Sequence, residues 1–233
     1  MKRSKNSGKI AWTIFTLVFV FTNLALHAQQ ERSHSNFDRI SFNISGDLYI
    51  TQGDNYSVRL EGSDKDLEKI DTKVENNSLI IKTKHNSSLR DDVKIYVTLP
   101  ELKAMNLAGS GDVYAKNKIS ASGLELSISG SGDVTFNELI ANDVELSIAG
   151  SGDMMIKGKA EESLEMSIAG SGDIDAVQFE AKSVEVSISG SGSATVFATD
   201  NLETNIVGSG SVRYKGNPLV NANAVGSGST KAL

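Results

Sequence analysis

The chain has 233 residues, of which 39% are hydrophobic, 22% are charged and 6% are aromatic, and it contains no cysteine. This length is enough for one large domain or two small ones. The lack of cysteine excludes a disulfide scaffold, thiol chemistry and a cysteine-ligated metal. Two prolines and 21 glycines indicate an ordered chain with many special turns.

Residues 1–28 are predicted to be a secretory signal peptide. The first nine residues include four basic side chains, an apolar run follows over residues 10–26, and Ala28 is a small residue at the expected cleavage point. The run is slightly long for a signal peptide and slightly short for a spanning helix, so retention as an N-terminal anchor is the alternative. Either way, we expect the rest of the chain to lie in the periplasm, on the cell surface or outside the cell.

Loss of this segment makes the chain more acidic. The remaining 19 basic and 29 acidic side chains give a net charge of −10 (19 − 29), and Trp12, the only tryptophan, is lost. An acidic surface disfavours nucleic acid as a partner and disfavours anionic membrane surfaces. We therefore expect no nucleic acid partner and no membrane insertion after cleavage. Hydrogen-bonded sugar binding stays open.

The motif Gly-Ser-Gly recurs at intervals of 18 to 21 residues. Its first glycines are Gly109, Gly130, Gly150, Gly170, Gly190, Gly208 and Gly226. A period near 20 residues indicates a solenoid. Apolar and polar residues alternate before and after each motif, as in Leu124 to Ile128, which is the period of a strand. The pattern predicts an all-β parallel β-helix with rungs of about 20 residues.

The recurring glycines are predicted to be structural corners. Glycine adopts positive φ and lets successive backbones stack closely. The alternative, a phosphate-binding loop, requires a helix after the glycines, and no helical periodicity follows them.

The rest of the chain divides into three parts. Residues 29–35 are expected to be a short linker, and residues 36–108 are expected to form wider rungs that also close the N-terminal end. Residues 109–233 are expected to form the regular rungs of the same domain. Asn76 and Asn77 are expected to form a turn between two strands.

The C-terminal end is predicted to be thin. Ala222 and Ala224 stand where earlier rungs have large aliphatic residues. Two interpretations remain open: a rung of small residues seals the core, or this end meets a partner and forms a homodimer.

Several segments occur in an order that resembles a known family. They are Phe37 to Ile40, Ile50 to Gly53, Val97 to Leu102, the Gly-Ser-Gly-Asp corners, and Tyr214 to Pro218. Together they resemble the family described as "putative auto-transporter adhesin, head GIN domain", over residues 36–233. The resemblance implies a right-handed parallel β-helix, related to pectin lyases, in secreted or envelope proteins of bacteria. It supplies no catalytic residues, and it suggests a role in cell adhesion.

Aspartate follows the glycines of four successive corners, at Asp112, Asp133, Asp153 and Asp173. Stacked carboxylates are typical of calcium-binding β-rolls, so calcium binding is one hypothesis. The alternative is that each carboxylate accepts a backbone N–H in its own turn. Ser193, Ser211 and Ser229 replace aspartate in later corners. Because serine is a poor calcium ligand but can make the same turn bond, the sequence favours turn capping.

Glutamates recur at one outward position of the rungs, at Glu125, Glu145, Glu165, Glu185 and Glu203. A pair of like charges at rung spacing costs less than about 1 kcal/mol in water, so a merely solvated face is one interpretation. The other is a docking face for a basic partner or a divalent cation.

Catalysis is not indicated. Past residue 28 the chain has only His34 and His85, which lie outside the repeats, and Arg213 is the only arginine from residue 109 onward. The acids recur with the rungs and do not single out one rung, as a pair of catalytic carboxylates would. We expect no enzyme and no cofactor, with a polysaccharide lyase or hydrolase as the alternative.

The sequence favours a secreted or envelope-associated binding module for cell adhesion. Its flat solenoid faces would contact an unidentified protein or glycan at a cell surface. The alternative is a structural envelope protein that associates with itself through its ends.

Overall fold

The computed structural model describes residues 28–85, 87–90 and 92–233. The predicted signal peptide, apart from Ala28, lies outside the described residues. The fold is an all-β parallel β-solenoid of about six turns, with 72% strand, 2% helix and rungs of about 20 residues. This confirms the predicted fold class. No helix within the described ranges is long and apolar enough to cross a membrane.

Seventeen strands and one single-turn helix make up the described part of the chain. In order they are β1 (Ala28–Arg32), β2 (Arg39–Asn43), β3 (Asp47–Gln52), β4 (Ser57–Gly62), α1 (Asp64–Leu67), β5 (Ile70–Glu75), β6 (Ser78–Thr83), β7 (Lys94–Leu99), β8 (Ala104–Gly109), β9 (Asp112–Ala115), β10 (Ile119–Gly130), β11 (Val134–Gly150), β12 (Met154–Gly170), β13 (Ile174–Gly190), β14 (Ser193–Gly208), β15 (Ser211–Lys215), β16 (Leu219–Gly226) and β17 (Ser229–Ala232).

The long strands β10 to β14 bend around the core, so that each rung contributes to more than one face. The glutamate face consists of β2, β6, β8, the parts of β10 to β14 that precede each corner, and β16. The tyrosine face consists of β3, β7, β9, the first residues of β11 to β14, and β15 and β17. All neighbouring strands within these two sets are parallel.

The core is built from ladders of inward side chains. Equivalent residues of successive rungs pair directly, as Ile148 does with Ile168 and Leu146 with Met166. These side chains are at most 1% exposed. Full burial of one such side chain stabilises the fold by roughly 1.5–3 kcal/mol, so each added rung extends a continuous core.

The corners require glycine for two reasons. The φ of Gly150 is +146°, and a Cβ at this residue would lie 2.1 Å from the carbonyl oxygen of Gly130. The same closeness recurs at the other regular corners, where one glycine lies directly over the glycine of the preceding rung. Only glycine allows this stacking of backbones at positive φ.

The N-terminal rungs do not follow chain order. The β2–β3 rung comes first in the chain, but it lies between the β6–β7 rung and the β8–β9 rung. The chain between β3 and β6 runs outward to the end of the solenoid and then returns. As expected, Asn76 and Asn77 form the turn between β5 and β6, both with positive φ.

Antiparallel strands cover the N-terminal end. β4 pairs with β7, β5 pairs with β6, and β1 pairs with β4. The expected linker at residues 29–35 is therefore a strand as far as Arg32, because its backbone completes the free edge of β4. Helix α1 is capped by Ser63, whose hydroxyl oxygen accepts from the N–H of Asp66.

The C-terminal end has no such cover within the described residues. Every residue of β16 is exposed, including Ala222 and Ala224. Inside the preceding rung, the buried Thr204 hydroxyl lies 2.8 Å from the hydroxyl of Thr230. The core therefore becomes smaller and more polar toward this end.

Candidate functional site

The five predicted glutamates form one column. Each pairs in register with the glutamate of the next rung, from Glu125 to Glu203, and all five are exposed. Parallel rungs lie about 4.8 Å apart, so the column spans four such steps. A second column of serines, ending in Asn205, runs beside it. The structure therefore places all five residues together on one surface.

A groove follows the glutamate column along the solenoid axis. Its first part has a volume of about 430 Å³ and is lined by Glu125, Asp143, Glu145 and Glu165 among others. Its second part has a volume of about 460 Å³ and is lined by Glu165, Glu185 and Glu203 among others. Because Ser163 and Glu165 line both parts, the two cavities adjoin, and we call them together the glutamate groove.

The two ends of the glutamate groove differ in chemistry. Arg39 and Lys103 line the end nearest the N-terminal cap. The Lys103 Nζ lies 2.8 Å from a carboxylate oxygen of Asp38, and this hydrogen bond raises the pKa of Lys103 above its usual value. Leu219 and Val220 line the other end. Because Arg39 and Lys103 are both ion-paired to nearby carboxylates, the groove has paired charges at one end, glutamates in the middle and apolar residues at the other end.

Sequence reasoning missed Arg39 and Lys103. Both lie before the regular repeats, and Arg39 reaches the glutamate face because β2 pairs with β8. Lys103 directly precedes β8, whose register with β10 places it beside the first glutamate rung. No periodic signal marks either residue, so only the pairing of β2 and β8 reveals them.

The four corner aspartates form a second ladder, with a different bonding pattern from the one expected. The Asp112 carboxylate accepts from the N–H of Asp133 at 3.0 Å, and the Asp133 carboxylate accepts from the N–H of Asp153 at 2.9 Å. Asp173 likewise accepts from the N–H of Ser193 at 2.7 Å. Each carboxylate thus caps the next corner and does not cap its own turn.

The later corners replace this bond with a backbone bond. The N–H of Ser211 donates to the carbonyl of Gly192, and the N–H of Ser229 donates to the carbonyl of Gly210. The aspartate series therefore serves to connect consecutive rungs. In the part of the chain that the structure describes, no group of three or more histidine, aspartate or glutamate side chains is arranged to hold a metal ion.

A stack of tyrosines lies on the tyrosine face. The ring centroids of Tyr49 and Tyr96 are 5.0 Å apart, and those of Tyr49 and Tyr114 are 5.4 Å apart. The Arg59 guanidinium covers the outer side of Tyr96, and the Lys116 ammonium lies over Tyr49, each about 4 Å from the ring centroid. This cluster depends on the rung order, because Tyr96 is far from Tyr49 in the sequence.

Burial among neighbours and a hydrogen bond to Asp47 raise the pKa of Tyr49 to about 12. Burial and the nearby Asp112 raise the pKa of Tyr114 in the same direction. Neutral phenols are therefore favoured in the stack up to a higher pH than for an ordinary tyrosine. The pattern that could have revealed the stack is a tyrosine between two inward aliphatic residues, which β3, β7 and β9 share.

Among the described residues, the histidines His34 and His85 do not form a site. The His34 Nε2 lies 2.9 Å from the hydroxyl of Thr72 in β5, on the cap. His85 is an exposed residue in the loop after β6. Neither histidine lines the glutamate groove.

One family model matches the chain over residues 36–218, and its description is "Putative auto-transporter adhesin, head GIN domain". The chain belongs to this family. The segments that suggested it, from Phe37 to Pro218, lie within the matched range. The glutamate groove therefore lies on a head GIN domain.

Solved structures of proteins from Bacteroides and Parabacteroides share this fold. A "putative adhesin" from Bacteroides fragilis is 26% identical, with a TM-score of 0.84, and the match covers 89% of this chain and 97% of that chain. A "putative lipid binding protein" from Parabacteroides distasonis is 28% identical, with a TM-score of 0.77 and coverage of 89% and 96%. A "putative adhesin" from Parabacteroides merdae is 25% identical, with a TM-score of 0.73 and the same coverage. No curated protein matches the chain significantly.

Proposed function

We propose that this head GIN domain is a non-catalytic adhesion module of the cell envelope that binds a basic segment of a surface protein in the glutamate groove. The observation that carries the proposal is the column of five stacked glutamates along the two adjoining cavities of the groove. The family description and the structurally similar proteins named putative adhesins support the adhesive role. Export by the N-terminal segment fits this location.

The electrostatics of the groove favour many weak contacts over one strong contact. A single exposed ion pair stabilises a complex by about 0–1 kcal/mol. Five carboxylates in one row can engage several cations of one extended segment, so the contributions accumulate. The binding should weaken as salt increases, because the Debye length falls to about 3 Å at 1 M ionic strength.

The ends of the groove add no further charge to the recognition of the ligand. Arg39 and Lys103 at one end are already ion-paired, both with Asp38 and Lys103 also with Glu101. The other end is lined by uncharged residues. The segment that fits best is therefore basic where it follows the five glutamates, with no requirement for charge at either end.

The test uses residues 28–233, which carry all of the described elements. This protein is applied to an array of glycans and extracellular-matrix proteins with calcium present, and titrated in solution with an oligolysine peptide. The test variant changes Glu145, Glu165 and Glu185 to glutamine. The matched control changes Glu31, Glu138 and Glu180 to glutamine, because these glutamates are also exposed but do not line the groove.

We expect saturable binding that falls at least about tenfold in the test variant and stays close to wild type in the control. Equal loss in both variants would mean that net charge alone attracts the ligand, which would reject the groove as the site. Binding that disappears with a chelator would assign the glutamates to a divalent cation instead. Release of reducing ends from an arrayed glycan would reject the non-catalytic role.

A further inference from the structure

The terminal rung is the most exposed part of the described fold. The register of β16 with β14 directs Val220, Ala222 and Ala224 toward the core, yet no further rung in the described residues covers them. On the outer side, Leu219 is 79% exposed and Val225 is 70% exposed. The outer backbone groups of such an edge strand are a template for another strand.

The edge strands at the two ends of the solenoid differ in charge. At the N-terminal end, the outer strand β5 carries the charged residues Asp71, Lys73 and Glu75, which discourage pairing with another strand. In contrast, β16 contains neither a charged residue nor a proline. The C-terminal edge is therefore open to strand addition, whereas the N-terminal edge is protected.

We propose that β16 pairs with β16 of a second copy of this chain, antiparallel, about a two-fold axis through Ala222. A two-fold axis brings the same strand of each copy together, which gives a closed dimer. The axis then sets the pairs across the interface: Leu219 with Val225, Val220 with Ala224, and Asn221 with Asn223.

Each of these pairs is chemically matched. The two most exposed apolar side chains of β16, Leu219 and Val225, cover each other on the outer side. On the inner side, the larger Val220 meets the small Ala224, so the two cores join without overcrowding. The Asn221 and Asn223 amides can exchange hydrogen bonds across the pair.

Other registers of the two strands do not place apolar residues opposite each other in this way. An axis through Asn221 or through Asn223 would place an asparagine opposite Leu219 or Val225. A shift of the pairing by one residue would set inward residues opposite outward ones, which the alternation of a half-buried strand forbids. The sequence of β16 therefore complements itself in one register only.

Charge also permits two copies to meet at this end. The chain is acidic overall, with a net charge of −6, but it has no aspartate or glutamate after Glu203. The charged side chains after Glu203 are Arg213, Lys215 and Lys231, and none of them lies in β16. The two β16 strands therefore meet without a charge on either strand. In the dimer, the two glutamate faces become one continuous sheet, with the two glutamate grooves near opposite edges.

The test is sedimentation equilibrium of residues 28–233 from about 1 µM to about 1 mM. We expect the mass to rise from that of a monomer to that of a dimer. Two variants, Leu219→Glu and Val225→Lys, are expected to weaken the dimer at least about tenfold, because each buries a charge against an apolar partner. The matched control is Met155→Glu, an exposed apolar residue on the tyrosine face, which should keep the wild-type association.

A mixture of the two variants tests the register itself. In a mixed dimer, the introduced glutamate faces the introduced lysine, and the native Leu219–Val225 contact persists at the other side of the axis. We expect the mixture to associate more tightly than either variant alone, with unchanged thermal melting of each variant showing that both are folded. A wild-type protein that stays monomeric at about 1 mM, or a Leu219→Glu protein that still dimerises like wild type, would overturn the proposal.

If the wild type dimerises but the mixture does not recover, the proposed register is wrong. The assay contains no ligand of the glutamate groove, so its outcome is independent of the adhesion proposal.

Discussion

The corner glycines and the stripe glutamates repeat with the same period, but they are held by different physical constraints. A Cβ at Gly150 would lie 2.1 Å from the carbonyl oxygen of Gly130, so this position tolerates no other residue. Glu145 is exposed at the groove surface, and its carboxylate makes no hydrogen bond or ion pair with the described residues. A repeat in the sequence therefore mixes positions that build the fold with positions that are free to bind, and the contacts of each position separate the two.

The largest expected change in the free energy of unfolding is at a corner glycine. We expect Gly150→Ala to lower the free energy of unfolding by at least about 3 kcal/mol, because the new methyl group meets backbone and the residue is held at positive φ. Chemical denaturation followed by circular dichroism measures the change. The matched control is Gly123→Ala, where no atom lies within 4 Å of the added Cβ.

Gly123→Ala should change the stability by about 0.5 kcal/mol or less. If the two variants have equal stability, the corner glycine is no more constrained than Gly123, and the contrast between constrained and free positions is wrong.

A smaller effect is expected at the aspartate ladder. The Asp133→Ala substitution removes the acceptor for the N–H of Asp153 and should cost about 1–2 kcal/mol. Asp133→Asn keeps an acceptor oxygen and should recover at least half of this loss. Thermal melts with calcium and with chelator accompany both variants. A calcium-dependent rise in the melting temperature of the wild type that is lost in Asp133→Ala would show that the ladder binds the ion and that the carboxylates do more than connect rungs.

Substitutions in the glutamate column should raise the free energy of unfolding, whereas those at the corners and in the aspartate ladder lower it. Changing Glu145, Glu165 and Glu185 to glutamine removes like-charge repulsion and should raise the free energy of unfolding by less than about 1 kcal/mol per neighbouring pair. The gain should shrink in about 1 M salt, because screening already removes the repulsion from the wild type. A loss of stability would mean that these glutamates support the fold, which would remove the contrast with the glycines.

The smallest effect concerns the tyrosine stack. The pKa of Tyr49 is about 12 in the folded chain, above its usual value of 10.0, so its neutral phenol contributes stability below about pH 10 that is lost as the pH rises toward 12. Tyr49→Phe cannot ionise at this position. We expect the melting temperature of this variant to fall less than that of wild type between about pH 9 and about pH 11. If the melting temperatures of the two proteins fall equally between these pH values, this account is wrong.

About half of the candidate site could be predicted from the sequence. The five glutamates share one offset from their corners, so strand alternation alone places them in a column. The groove beside them could not be predicted, because its depth depends on how each rung bends before the glutamate strand. Arg39 and Lys103 were missed because they reach the groove through the pairing of β2 with β8.

The sequence by itself determined the parallel β-solenoid, the rung length, the corners and the inward ladders. These features are local, because each rung repeats the residues of the last and pairs with its neighbour at a fixed separation of about 20 residues. Only the tertiary structure decided the order of the N-terminal rungs, the tyrosine stack and the antiparallel strands that cover the N-terminal end. Those features depend on which distant strands meet, and no periodic pattern in the chain encodes that choice.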